Sequence, residues 1–71
     1  MSARTRLITA TVGQLRRFGV AGTSVSGILA DSGLARRTLY VNFPAGKPEL
    51  VAEATQVASE SMISAFEQGL A

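Results

Sequence analysis

Between Arg36 and Asn42 the chain reads Arg-Arg-Thr-Leu-Tyr-Val-Asn, and five of these seven side chains carry a hydrogen-bonding group while none carries a carboxylate, thiol or imidazole. That set suits recognition of a polyanion. A guanidinium pairs bidentately with guanine or phosphate, an amide can read adenine, and hydroxyls serve either. It offers nothing with which to break a bond. The rest of the inventory agrees: no Cys and no His occur in 71 residues, which removes zinc sites built from those ligands, His-dependent triads and disulfides. Glu49 and Glu53 form an i, i+4 carboxylate pair, but with no partner group they read as a solvated helix face rather than an acid/base pair. The expectation is a binding protein, not an enzyme, with no cofactor and no metal.

Those side chains need a rigid support, and the flanking pattern provides one. Leu39 and Phe43 stand four apart on an inner face, so that Arg36, Arg37, Thr38, Tyr40, Val41 and Asn42 point elsewhere. Before them, Val25, Ile28 and Leu29 take the i, i+3, i+4 spacing of a second helix, with Thr23 and Ser24 as N-cap candidates. Gly33 between the two can adopt the left-handed conformation that ends a helix, and Leu34 can fold back as its hydrophobic contact. Ser24 to Phe43 therefore reads as a helix-turn-helix whose second helix, Ala35 to Asn42, would enter the major groove of double-stranded DNA.

Several of these residues carry two readings. Arg36 and Arg37 can contact guanine or phosphate, or be solvated surface arginines. Tyr40 can pack its ring and keep its hydroxyl wet. Asn42 can read adenine or cap the helix end. Thr23 and Ser24 serve as caps, and the same helix N-terminus can bind phosphate. Lys47 is a phosphate contact or an exposed loop lysine.

Around this unit, a first helix is expected from about Thr5 to Phe18, with Leu7, Ala10, Thr11, Gln14, Leu15 and Phe18 inward, preceded by a frayed basic arm from Met1 to Arg6. Gly13 and the polar Gln14 leave two options: this is the least stable helix, or Gln14 faces a partner outside the chain. Gly19 stops the helix, Val20 to Gly22 form a loop, and Pro44 to Gly46 form a second. A last helix runs from Lys47 or Pro48 to about Gln68, with Gly69 as C-cap. About 20 residues make a rod of roughly 30 Å, longer than three short helices can cover. Its far half would expose Met62, Ile63 and Phe66 to a further domain or another subunit.

The fold class expected is thus all-α: a three-helix bundle with a helix-turn-helix at 1–47, then a connecting helix at 48–71. Charge follows the same division. All seven basic residues lie before position 48 with Asp31 the single acid among them, whereas four glutamates and no base follow. One end is suited to a polyanion and the other is not. No apolar run approaches the ~18 to 20 residues of a membrane span, and Thr9, Thr11 and Gln14 interrupt any signal-like stretch behind the N-terminus. The chain reads as soluble and cytoplasmic.

From Leu7 to Phe43 the sequence also resembles the DNA-binding domain of TetR-family transcriptional regulators. The resemblance rests on Leu7-Ile8, Ala10, Gly19, Thr23-Ser24-Val25, Ile28, Gly33-Leu34 and Thr38-Leu39-Tyr40 with Phe43, continued by Pro44-Ala45-Gly46-Lys47 and Leu50. It implies DNA contacts by Thr38, by the Tyr40 hydroxyl and by Lys47. It further implies a homodimer on a pseudo-palindromic operator, and a larger C-terminal domain binding a small-molecule inducer that relieves repression. Five positions depart from the family pattern: Ala35 stands where a Ser or Thr cap is usual, Leu29 and Arg37 where a small residue is usual, and Gln14 and Thr11 where Leu and Ala are usual. The rival reading is a helical interaction module, with Leu50 to Phe66 as a partner-binding surface and the arginines serving solubility.

Overall fold

The computed structural model describes the backbone of residues 2–70 and the side chains of residues 2–60. Four helices follow in order, α1 (Ala3–Gly22), α2 (Val25–Ser32), α3 (Arg36–Asn42) and α4 (Lys47–Leu70). The all-α architecture matches the expectation. α1 is its centre, packing against each of the other three.

α1 begins earlier than its apolar pattern indicates. Ser2 is in extended conformation and its hydroxyl accepts the Thr5 N–H at 3.1 Å, so residues 3–6 are helical rather than a frayed arm. Leu7, Thr11 and Gln14 form the buried stripe. The Thr11 hydroxyl is satisfied within the helix by donating to the Leu7 carbonyl at 2.8 Å. At Gly19 the backbone leaves helical geometry (φ 73°, ψ 179°), as expected of the stop, but one more turn follows to Gly22 where a loop was expected. Phe18, immediately before the break, lies outward. That ring is 51% exposed, with the Arg17 guanidinium 4.9 Å from its centroid, instead of facing the core.

The core is small and draws on every helix. Leu7 from α1, Ile28 from α2, Leu39 from α3 with Phe43 at its C-cap, and Leu50 and Ala54 from α4 are fully buried. Each large member contributes roughly 1.5–3 kcal/mol. Leu39 and Phe43, four apart on one face of α3, fix the rotation of that short helix about its own axis.

Gln14, expected to weaken α1 or to await an outside partner, finds its partner within the chain. Its side-chain amide donates to Asp31 Oδ2 at 2.7 Å, linking α1 to the end of α2. The two helices approach closely over Gly27, where a Cβ would lie 2.7 Å from Gln14 Oε1. The small residue at this crossing is therefore Gly27, and Leu29 packs half-buried against the core.

α4 starts after Gly46, whose carbonyl accepts the Leu50 N–H at 3.1 Å. Glu49 reaches back to accept the Ala45 N–H at 3.1 Å, an arrangement that also suits the positive end of the helix dipole. The helix continues through Gly69 to Leu70, past the expected cap. Ala54 is its last buried residue among those whose side chains are described, and Thr55, Gln56, Val57, Ser59 and Glu60 are exposed. The expected overhang thus begins at Thr55, while Met62, Ile63 and Phe66 lie outside the described side chains.

Candidate nucleic-acid interface

Local interactions fix both ends of α2 and the turn into α3. Ser24 caps α2 by accepting the Gly27 N–H at 3.0 Å. At the other end Gly33 takes the left-handed conformation (φ 71°) and its N–H bonds the Leu29 carbonyl at 2.9 Å. The Ser32 hydroxyl accepts the Leu34 N–H at 3.3 Å, steering the chain into α3. α3 then opens at Ala35 with no side-chain cap, which leaves the first N–H groups of that helix without side-chain acceptors.

With Leu39 and Phe43 seated in the core, α3 presents two outward strips. Arg36 and Tyr40, four apart, share one, and Arg37, Thr38 and Val41 share the other. Arg36 and Arg37 are exposed, Thr38 is half-buried, Tyr40 is 42% exposed and Val41 71%. The Tyr40 ring rests on the turn into α4: a Cβ placed on Gly46 would lie 3.0 Å from its Cε1. This carries the Tyr40 side chain to the turn that leads directly into half-buried Lys47.

Other candidates fall differently. Asn42 donates its side-chain amide to the Thr38 carbonyl at 2.9 Å, so it bonds the last turn of its own helix. Ser24 is exposed at the opposite end of α2 from the glycine turn. Thr23 does not cap α2. It is 1% exposed, and its hydroxyl donates to the Gly19 carbonyl at 2.7 Å, closing the break at the end of α1.

The basic residues separate in the same way. Arg4 lies 3.5 Å from Glu53 and 4.6 Å over the Phe43 ring, which ties α1 to α4. Arg6 donates to the Ser32 carbonyl at 2.6 Å, capping the C-terminal end of α2. Both have structural partners despite their place in a basic N-terminus. Arg16, Arg36, Arg37 and Lys47 form no salt bridge among the described residues. Val41 is outward as its spacing predicts, although its side chain carries no polar group. Its spacing of three and four from Thr38 and Arg37 already places it on their strip.

Among the described residues no cluster of three His, Cys, Asp or Glu could hold a metal ion, and no helix is long and apolar enough to cross a membrane. The arrangement is one of directed donors on a short rigid helix.

Over 70 residues the chain is 34% identical to two proteins of Mycobacterium tuberculosis, one from strain CDC 1551 and one from strain H37Rv, each described as an uncharacterized HTH-type transcriptional regulator. The match takes in 94% of this chain and 36% of each relative, so the chain spans about a third of the length of the curated relatives it matches. No family model matches the chain, and no solved structure matches it significantly. The all-α fold with its helix-turn-helix and the similarity to HTH-type regulators point the same way.

Proposed function

We propose that this chain is the double-stranded-DNA-binding head of a transcriptional regulator of the TetR type, acting as a repressor. The observation that carries the reading is the outward face of α3, where Arg36, Arg37 and Tyr40 stand exposed beside half-buried Thr38 on a helix locked from behind by Leu39 and Phe43. A locked helix holds its donors at fixed spacing, which specific base contacts require. Lys47 at the start of α4 and Ser24 at the start of α2 supply phosphate contacts on either side. Asn42 orders the end of α3 and can still offer its carbonyl oxygen, and buried Thr23 acts by positioning Ser24.

In this reading two heads act as a homodimer on a pseudo-palindromic operator. An inducer bound by a C-terminal domain beyond residue 71 alters the spacing of the heads. The dimer and the inducer rest on the resemblance to TetR-family regulators, and the similarity to HTH-type regulators supports the DNA-binding step. The test is fluorescence anisotropy of a labelled duplex with the full chain and with Arg36→Ala and Tyr40→Phe. Each variant is expected to bind about tenfold more weakly, with helix content by circular dichroism unchanged. Loss of helix in both would mean that these residues hold the fold and not the DNA.

A further inference from the structure

Val41 is 71% exposed, the most exposed large hydrophobic side chain among the described residues. It contributes little to folding. A β-branched residue is a poorer helix former than alanine, and an open side chain gains no burial. Its orientation is nonetheless well determined, because Leu39 and Phe43 are fully buried on the opposite side of the same two turns. It projects from the strip that holds Arg37 and Thr38, whereas Tyr40 on the neighbouring strip leans on Gly46 at the turn before Lys47.

This division separates two kinds of DNA contact. A phosphate takes hydrogen bonds and gives an apolar carbon nothing, so the strip leading to Lys47 suits the backbone. The major groove contains one apolar group on its base edges, the 5-methyl of thymine. Arg37 and Val41 are four residues apart, about 6 Å along the helix axis, close to two base-pair steps of roughly 3.4 Å. A base pair addressed by Arg37 and a thymine beneath Val41 can therefore be neighbours or next neighbours.

The geometry points to Val41 as a specificity residue that packs against the 5-methyl group of a thymine in the major groove, within two base pairs of the one contacted by Arg37. The inference rests on the DNA-binding reading above and names what that site selects.

The test begins with in vitro selection from a random duplex pool, using the full chain. Each thymine of the enriched duplex is then replaced singly by deoxyuridine, which removes only the methyl group. With the native chain, one thymine per half-site is expected to lose about fourfold in affinity on replacement, the worth of one buried methyl-sized group. With Val41→Ala the same replacement is expected to change affinity by less than about twofold, and the variant keeps its helix content. An enriched duplex in which every deoxyuridine replacement affects both proteins equally would overturn the role of Val41 and leave the DNA-binding reading standing. Failure to enrich any sequence would overturn both.

Discussion

The ring of Tyr40 packs directly on Gly46: a Cβ there would stand 3.0 Å from Tyr40 Cε1 and 3.6 Å from its hydroxyl oxygen. Gly46 also holds a backbone φ of +73°, which side chains other than glycine rarely adopt. One residue thus ends the turn after α3 and makes the seat for an aromatic of the proposed DNA face. Gly46→Ala is expected to destabilise the fold by about 1–2 kcal/mol through the left-handed backbone alone. Displacing Tyr40 should weaken DNA affinity as well. Thermal unfolding followed by circular dichroism checks the first effect, and an unchanged midpoint would show that the turn tolerates a side chain.

The link between Gln14 and Asp31 gives a second prediction. Gln14 is 5% exposed and its amide donates to a carboxylate that is itself at the surface. Asp31→Ala removes that acceptor and is expected to cost about 1.5 kcal/mol, at the low end for a charged partner because Asp31 is solvated. In a Gln14→Leu background no buried amide needs an acceptor, so the same change should lie within about 0.5 kcal/mol of neutral. Urea unfolding of the four proteins in a double-mutant cycle measures the coupling.

A third prediction concerns the uncapped start of α3. Ala35 has the extended backbone of an N-cap (φ −80°, ψ 152°) but no side-chain acceptor. Ala35→Ser supplies one for the N–H of Arg37 or Thr38, with an expected gain of about 1 kcal/mol. For a domain of this size that raises the melting temperature by about 4–8 °C. No rise in a calorimetric scan would mean that water already satisfies those donors as well as a hydroxyl does.

Comparison of these elements with the sequence shows which physical signals are local. Gly33, Ser24 and the Leu39–Phe43 pair were readable because a left-handed stop, a capping hydroxyl and helical periodicity are properties of a few adjacent residues. The partners of Arg4, Arg6 and Gln14 were not. Glu53, the Ser32 carbonyl and Asp31 meet them only after α1 has packed on α2 and α4, and no periodicity encodes a pairing across that much chain. Phe18 fits an inward stripe until Gly19 breaks the helix immediately after it. At the proposed site the exposure of Arg36, Arg37 and Tyr40 was legible from helical spacing. Val41 was legible as outward from its spacing, but a valine carries no polar group that would mark it by type as a contact.

Ionic strength tests the central claim most directly. The measurement is the affinity of the full chain for a labelled duplex between about 50 and 200 mM salt. With Arg36 and Lys47 neutralising phosphates, affinity should fall by on the order of one power of ten per contact per decade of salt, a slope near −2 per head. Arg36→Ala should lessen that slope by about 1 if this arginine meets phosphate, and leave it unchanged while weakening binding if it meets a base. Absence of binding at the lowest salt, together with concentration-dependent self-association, would contradict the account and assign the surface of the chain to a protein partner.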